Sequence, residues 1–397
     1  MRWSYRCPSC GASYKIEPGR YLCDECGKKN KAGIPLEGVL ECVWEKEDSE
    51  TLAVGAIPLP VEAEYFPPLP VGDTPLWRPE RLREMLDAPN LFLKDDTCNP
   101  SGSFKDRASW LVAAFARKYG IDEIALASTG NAASSMACVG AAAGLKITVF
   151  LPASAPAAKR IQVLQYGAEL REVKGTYDQA FDESLAYSKA TGVLSRNTAY
   201  NPLTIEGKKT ASFEIARDLG RALVPASPAS AVASFLAPNH VFVPTGDGVI
   251  MAGVIKGFED LLRLGLTSKM PTFWVAQAEG SSAIARALAT GSFEERPSDT
   301  LADSISVDVP RNGSFVLAKL RKHGGKGITV TDEEILTAQR TLSSMSGLFS
   351  EPSSACAFAC YLKAKAAIPR SESVVVMLTG SGLKDIRNAA KVVGAKL

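Results

Sequence analysis

The sequence lacks three features that would each assign a class of function. It contains no run of about eighteen uncharged apolar residues, so no membrane span is expected. Its 45 Lys and Arg nearly balance 43 Asp and Glu, and no basic block is interleaved with aromatics, which disfavours nucleic acid as the main partner. The amino end MRWSYRCPSC has no apolar segment before a cleavage site, so a secretory signal is not expected. We therefore expect a cytoplasmic protein.

The sequence does contain a regular alternation of strand and helix patterns. At 397 residues the chain is long enough for two or three domains with a substantial core. Apolar runs such as EIALAS, KITVFLP, HVFVPTG, TFWVAQAE and SVVVMLTG predict strands, and amphipathic segments between them predict helices. Because strands that alternate with helices form parallel sheets covered by helices, the pattern predicts an α/β fold with two such units.

Four of the nine cysteines form two C-x-x-C turns near the amino end, CPSC and CDEC, separated by twelve residues. This spacing can bring four thiolates onto one tetrahedral zinc ion, and the candidate ligands are Cys7, Cys10, Cys23 and Cys26. Two disulfides are the alternative, which a cytoplasmic chain disfavours. The zinc is expected to be structural, since protein would fill all four positions. Of the other cysteines, only Cys98 lies near a candidate site.

Four turns that follow predicted strands carry unusual residues, at the strand ends where α/β proteins place their chemistry. In PSGSFKDR, Lys105 begins a helix, where the helix dipole and apolar cover would lower the pKa of its amine and allow a Schiff base. A solvated lysine is the commoner explanation of that residue alone. In ASTGNAAS, the free amides could bind a carboxylate and Asn131 a hydroxyl, or Ser128, Thr129 and Asn131 could simply cap the helix.

The other two turns are rich in glycine. In VPTGDGVIMAG, Gly246 and Gly248 allow backbone amides to close on a phosphate, although the pattern is neither a dinucleotide fingerprint nor a Walker loop. In MLTGSGLKD, Thr379 ends a strand and could face a ligand atom. An aldehyde-reactive lysine, a carboxylate nest, a phosphate cradle and a hydroxyl at a strand end are together the parts that a pyridoxal phosphate site requires.

These motifs also occur in a recognisable order: NPSGSFKDR, STGNAAS, IEGKKT, PTGDG, TLADSISV, EPSSA and LTGSGLKD. The set resembles the fold type II pyridoxal phosphate enzymes and is most similar to the threonine synthase family, some members of which also have a four-cysteine ribbon. The resemblance covers about residue 70 to the end. It implies a tryptophan synthase beta-like architecture, usually homodimeric, divided into a ribbon at 1–30, a connecting segment at 31–70, a large domain at 71–105 and 204–397, and a small mobile domain at 106–203.

The resemblance also implies roles for individual residues. Lys105 would carry the cofactor, Asn131 would bond its ring hydroxyl, and Thr379 would face the pyridine nitrogen. The cofactor phosphate would be held by Thr245, Gly246, Asp247, Gly248 and Val249. The amino-acid carboxylate would be held by Ser128, Thr129 and Gly130. The implied reaction converts O-phosphohomoserine and water to threonine and phosphate, with Lys105 moving protons at the alpha and beta carbons.

Three positions depart from the family pattern. Many threonine synthases have an arginine in N-P-x-R-x-E-G that grips the substrate phosphate, whereas this chain has Thr204. Asp247 stands where asparagine is common and would repel a phosphate unless it is turned away or paired. Ser381 replaces a common histidine, which removes a group that titrates near neutral pH. Three basic residues could replace the missing charge: Lys208, Lys209 and Arg311.

Two other functions remain open from the sequence. A serine or threonine dehydratase, or another beta-eliminating ammonia lyase, would use the same cofactor site without any grip on a substrate phosphate, and the three departures favour it. A non-catalytic binding protein with the ribbon as its docking module is disfavoured, because the lysine and the cofactor contacts are all present.

Overall fold

The computed structural model describes residues 1–31, 33–45, 56–128, 130–152, 157–174, 177–224 and 235–395. An antiparallel sheet at the amino end contains β1 (Arg2–Arg6), β2 (Ser13–Tyr14) and β3 (Glu41–Glu45), in the order β2-β1-β3. β3 lies in the segment 31–70, which was expected only to connect the ribbon to the core. The ribbon sheet therefore extends beyond the predicted module at 1–30, because Tyr5 and Cys42 pair across β1 and β3 and are both buried.

The helices and strands that follow alternate as the sequence predicts. Those of the first half are β4 (Leu76–Trp77), α1 (Glu80–Met85), β5 (Leu91–Asp95), α2 (Asp106–Lys118), β6 (Glu123–Ala127), α3 (Asn131–Ala143), β7 (Lys146–Pro152), α4 (Ala157–Gln165), β8 (Glu169–Val173), α5 (Tyr177–Thr191) and β9 (Leu194–Ser195). Those of the second half are α6 (Leu203–Glu206), α7 (Thr210–Leu223), β10 (His240–Pro244), α8 (Val249–Arg263), β11 (Thr272–Ala278), α9 (Ala283–Thr290), α10 (Gly313–Lys322), β12 (Lys326–Val330), α11 (Asp332–Ser346), α12 (Pro352–Ala364), β13 (Val374–Leu378) and α13 (Ile386–Val393).

Two further sheets confirm the predicted α/β fold class. One has four parallel strands in the order β8-β7-β6-β9. The other has the order β12-β11-β10-β13-β5-β4, and all its strands are parallel except β4 at the edge. β10 and β13 are buried along their whole length, because they lie inside the sheet with helices on both faces and their sequences are mainly apolar.

The order of the strands along the chain has a consequence for domain organisation. The four-stranded sheet lies within residues 106–203, and the strands of the six-stranded sheet come from the segments on either side. The domain boundaries, the mobility of the small domain and the homodimer stay predictions. No helix among the described residues is both long and apolar enough to cross a membrane.

The ribbon contacts both α/β units through partly buried polar groups. Lys319 of α10 lies 2.6 Å from carboxylate oxygens of both Glu41 in β3 and Glu259 in α8. On the other side, the backbone N–H of Ser195 in β9 donates to the Tyr21 hydroxyl at 2.8 Å. The ribbon is therefore in direct contact with both α/β units.

Candidate active site

A cavity lies where the carboxyl ends of β10 and β13 meet the start of α2. All the residues predicted to bind the cofactor line it: Lys105, Asn131, Thr245, Gly246, Asp247, Gly248, Val249 and Thr379. The lining also includes Thr198, Ser304 and Glu351, to which no motif assigns a role.

Lys105 stands immediately before α2 and lines this cavity. Its backbone N–H donates to the Ser103 hydroxyl at 3.2 Å, which fixes the turn. Burial lowers the pKa of the Lys105 amine to about 8, and the charge of Arg196 adds to this effect, while Asp247 and Glu351 oppose it. About a tenth of the amine is therefore unprotonated at pH 7, far more than for an ordinary lysine, and this is the form that attacks an aldehyde.

Two charged neighbours hold the turn that carries this amine. The Asp106 carboxylate accepts hydrogen bonds from the backbone N–H of Ser101 at 2.7 Å and from its hydroxyl at 2.5 Å. Arg107 donates to Asp96 at 2.6 Å and to Glu214 at 2.7 Å, and all three side chains are buried. The sequence FKDR thus places its lysine in the cavity and its next two residues in the supporting core.

The loop between β10 and α8 has the shape of a phosphate cradle. Gly248 has φ +86°, and a Cβ there would lie 2.6 Å from a Val316 methyl group. A Cβ on Gly246 would lie 3.0 Å from the Ile305 Cα. Only glycine fits these two positions without displacement, so backbone amides stay accessible at the start of α8, where an anion is favoured.

Asp247, which could repel a phosphate, is hydrogen-bonded to the backbone of a segment outside the loop. One carboxylate oxygen accepts from the backbone N–H of Arg311 at 3.1 Å. Burial raises the pKa of the Asp247 carboxyl above its usual value, against the lowering effect of Arg311 and of two nearby lysines. The Arg311 carbonyl in turn accepts from Leu36 at 2.9 Å, so the segment after the ribbon helps to position this loop.

Asn131 is the first residue of α3, and its amide contacts an acidic residue that the sequence analysis missed. The Nδ2 atom donates to both carboxylate oxygens of Glu351, at 2.9 and 3.1 Å, and to Ser304 at 3.3 Å. Glu351 precedes α12 in the motif EPSSA, and this motif is the only feature of the sequence that could have identified Glu351 as a residue of the site. The contact orients the side chain that is predicted to meet the ring hydroxyl.

Thr379 follows β13 at the cavity wall, and its backbone joins two other parts of the site. Its N–H donates to the Ser354 hydroxyl of α12 at 2.8 Å. Its carbonyl accepts from the N–H of Phe104 at 2.9 Å, next to the reactive lysine. The backbone on both sides of the Thr379 side chain is therefore held in place.

The residues predicted to bind the substrate carboxylate are placed differently. The Ser128 hydroxyl accepts from the N–H groups of Gly130 and Ala133, both at 3.2 Å, and thus occupies the first turn of α3. Neither Ser128 nor Gly130 belongs to the described lining of the cavity. Thr129 lies outside the described residues. Their role in substrate binding stays a prediction.

The other two departures from the family pattern are occupied by local contacts. The buried Thr204 hydroxyl donates to the carbonyl of Asn201 at 2.7 Å. The Ser381 hydroxyl accepts from the N–H of Leu383 at 3.3 Å and caps a short helical turn. Neither side chain brings a positive charge to the cavity.

The four ribbon cysteines converge as their spacing predicts. All are free thiols in the structure, and their sulfur atoms lie within 4.8 Å of one another. The Cys10 and Cys23 sulfurs are 3.6 Å apart. Zinc bound by four thiolates at its usual bond length requires sulfur atoms about 3.8 Å apart, so the donor set fits a tetrahedral zinc ion.

Comparisons with known proteins point the same way as this geometry. The profile of a family described as "Pyridoxal-phosphate dependent enzyme" matches residues 68–380. A threonine synthase of Methanosarcina acetivorans is 33% identical over 398 residues, which is 96% of this chain and 92% of the relative. A threonine synthase of Methanocaldococcus jannaschii is 32% identical over 407 residues, with the same shares. The structure of the processed threonine deaminase isoform 2 of Solanum lycopersicum, at 22% identity, shares the fold with a TM-score of 0.67, over 82% of this chain and 90% of that one.

Proposed function

Because the chain belongs to the pyridoxal-phosphate dependent enzymes, we propose that it is a threonine synthase, which converts O-phospho-L-homoserine and water to L-threonine and phosphate. The family and the relatives make the protein a pyridoxal phosphate-dependent lyase that acts on amino acids. One observation carries the finer proposal: the likeness to threonine synthases covers 96% of this chain, which is more than the part that the family profile matches.

The residues around the cavity fit pyridoxal phosphate. We assign Lys105 as the residue that carries it, the loop from Thr245 to Val249 as the cradle of its phosphate, and Asn131 as the partner of its ring hydroxyl. When bound, the cofactor withdraws electrons from the alpha carbon of the amino acid. Thr379 would meet the ring nitrogen with a hydroxyl, which does not hold that nitrogen protonated as a carboxylate would, and this suits elimination and replacement chemistry.

Lys105 is also the residue placed to move protons. It lines the cavity and its amine has a pKa of about 8, close to neutral pH, where a group can both accept and return a proton efficiently. We assign it to remove the alpha proton and then the beta proton of the substrate. Glu351, fixed on Asn131, is a positioning residue in this scheme.

A beta-eliminating dehydratase that acts on serine or threonine is the second candidate. The observation that favours it is the absence of an arginine at position 204, where the buried Thr204 brings no charge for a substrate phosphate. Such an enzyme would need the same lysine, loop and asparagine.

A turnover assay separates the two functions. The cofactor-loaded protein receives O-phosphohomoserine, L-threonine and L-serine separately, and phosphate, threonine, ammonia and keto acid are followed. Threonine synthase activity predicts phosphate and threonine in equal yield from O-phosphohomoserine. Keto acid and ammonia from serine or threonine, with O-phosphohomoserine inert, would instead establish a dehydratase.

We propose that the ribbon cysteines bind one structural zinc ion. We expect Cys23→Ser to reduce the zinc content from about one per chain to near zero and to lower the free energy of unfolding by several kcal/mol, because the bound metal ties the ribbon to the core. Elemental analysis and urea unfolding measure the two quantities. Cys98→Ser, whose thiol lies outside the cluster, is the matched control and keeps the metal. If the wild-type protein is expressed in a medium that contains zinc and still purifies without bound zinc, the proposal is contradicted.

A further inference from the structure

The missing arginine at position 204 leaves the substrate phosphate without a cation from that residue. The Thr204 side chain is fully buried and its hydroxyl is used by Asn201, so it cannot turn toward the cavity without losing a hydrogen bond. A phosphorylated amino acid carries about two negative charges on its phosphate at neutral pH, which a buried site must compensate. Another basic residue must therefore take this role.

Lys208 lies one helical turn after position 204 and is completely buried. Its amine donates a hydrogen bond of 2.6 Å to the Thr204 backbone carbonyl. Its stem packs tightly against α8, where a Cβ on Gly253 would come within 2.5 Å of the Lys208 Cβ. The amine is thus held at the turn where family members place a guanidinium.

The charge of Lys208 has no acidic partner at ion-pair distance among the described residues. Lys209, the next residue, shows the contrast: its amine lies 2.5 Å from Glu206 and 2.7 Å from Asp260. An ammonium has three donors, and the described contacts of Lys208 use one of them. Lys209 is therefore paired with carboxylates of the core, whereas Lys208 can still donate hydrogen bonds to a ligand.

Three charged groups act on Lys208: Lys105 before α2, Arg196 after β9 and Asp247 between β10 and α8. Lys105 and Asp247 line the cavity, whereas Arg196 and Lys208 are completely buried and do not belong to its described lining. Arg196 donates at 2.7 Å to the hydroxyl of Thr198, which lines the cavity. Two basic groups and one carboxylate thus act on the amine, so basic groups outnumber acidic ones among the groups that influence it.

A buried excess of positive charge is costly unless an anion compensates it. The cofactor phosphate has its own cradle in the amides between Thr245 and Val249, so a second anion remains to be assigned. We propose that Lys208, together with Arg196, binds the phosphate group of the phosphorylated amino-acid substrate in place of an arginine at position 204. This inference rests on the proposed threonine synthase function and names the residues that adapt this chain to it.

The burial of Lys208 and the charges near it also affect the protonation of its amine. Burial, together with the charges of Lys105 and Arg196, lowers the pKa of Lys208 well below its ordinary value, and Asp247 opposes this only in part. The lowered pKa shifts the amine toward its uncharged form in the empty site, and a dianion beside it favours the charged form. We therefore expect phosphate binding to take up as much as one proton per chain.

Calorimetry with inorganic phosphate tests the inference on the fully cofactor-loaded enzyme. Titrations at a pH where phosphate is dianionic, in buffers of different ionisation enthalpy, give both the affinity and the number of protons taken up. We expect Lys208→Gln to weaken phosphate binding about tenfold to a hundredfold and to abolish the proton uptake, since it removes a charge-assisted hydrogen bond. Lys208→Arg should retain most of the affinity.

Controls separate a local effect from misfolding. Lys322→Gln removes an exposed lysine whose partner is Glu259 and should leave phosphate binding unchanged. The visible absorption of the lysine-bound cofactor checks that the site is intact in each variant. If Lys208→Gln does not fold, the wild-type titrations still decide, because absence of phosphate binding or of proton uptake in the wild type would overturn the inference.

Kinetics distinguish this inference from the proposed function. If the threonine synthase function and the role of Lys208 are both correct, Lys208→Gln raises KM for O-phosphohomoserine about as much as it weakens phosphate binding, and it changes kcat less. Turnover of O-phosphohomoserine with the same KM in wild type and variant would overturn the role of Lys208 and leave threonine synthase standing. If the wild type does not turn over O-phosphohomoserine but binds phosphate through Lys208, the function fails, and the site serves another phosphorylated amino acid.

Discussion

Replacement of Lys105 with alanine lowers turnover by about a thousandfold or more on our assignment, because one amine both carries the cofactor and moves the protons. The visible absorption of the lysine-bound cofactor should disappear at the same time. The stability of the fold should not decrease. Burial disfavours the charged form of this amine and lowers its pKa to about 8, so below that pH the lysine destabilises the folded state and alanine removes this effect. Steady-state kinetics, absorption spectra and thermal unfolding measure the three effects.

Lys118→Ala is the matched control, because Lys118 ends the same helix and pairs with the surface residue Glu62 at 2.8 Å. This variant should keep both turnover and absorption. If Lys105→Ala retained wild-type turnover, the assignment of the amine would be wrong. If it lost turnover but kept the absorption of a lysine-bound cofactor, another lysine would carry the cofactor.

The fold and the members of the site followed from local patterns in the sequence. Apolar runs between amphipathic segments were enough to predict parallel sheets, because each strand and helix is defined by residues close together in the chain. Parallel sheets bring the carboxyl ends of their strands to one edge. The turns that contain Lys105, Gly246 and Thr379 follow strands of one sheet and therefore lie at the same edge, where they line one cavity. Asn131 follows β6 of the other sheet, so its place in the same cavity depends on how the two sheets pack.

The pairings within the site did not follow, since they depend on how distant segments approach one another. Asn131 and Glu351 are separated by 220 positions, and no local pattern indicates that an amide on α3 meets a carboxylate before α12. The sequence could state that Asp247 needs a partner but could not show that the backbone N–H of Arg311 provides it. Lys208 and its neighbour looked alike as candidate cations until burial and ion pairing distinguished them.

Arg107→Ala should be the most destabilising single substitution at the support of the site, with a loss of about 3–5 kcal/mol, because it leaves buried carboxylates without their cation. The Arg107 guanidinium is completely buried and donates to Asp96, to Glu214 and, at 2.8 Å, to the Thr210 hydroxyl. Lys94, 2.6 Å from Glu214, cannot compensate both acids. Urea unfolding measures the change. A loss below about 1 kcal/mol would show that the network contributes little.

Arg217→Ala provides the comparison, because its ion pairs with Asp73 and Asp218 lie at the surface and should be worth no more than about 1 kcal/mol.

The loss of stability at low pH gives a second test of the Arg107 network. Burial alone would raise the pKa of Glu214, but Arg107 and Lys94 together hold it well below its usual value. A carboxyl with a depressed pKa adds stability above its unfolded pKa of about 4.3, and this part is lost as the pH falls toward the folded value. Below that pH, the free energy of unfolding should therefore fall more steeply with decreasing pH in the wild type than in Arg107→Ala. Equal slopes in the two proteins would contradict the role of the ion pair between Arg107 and Glu214.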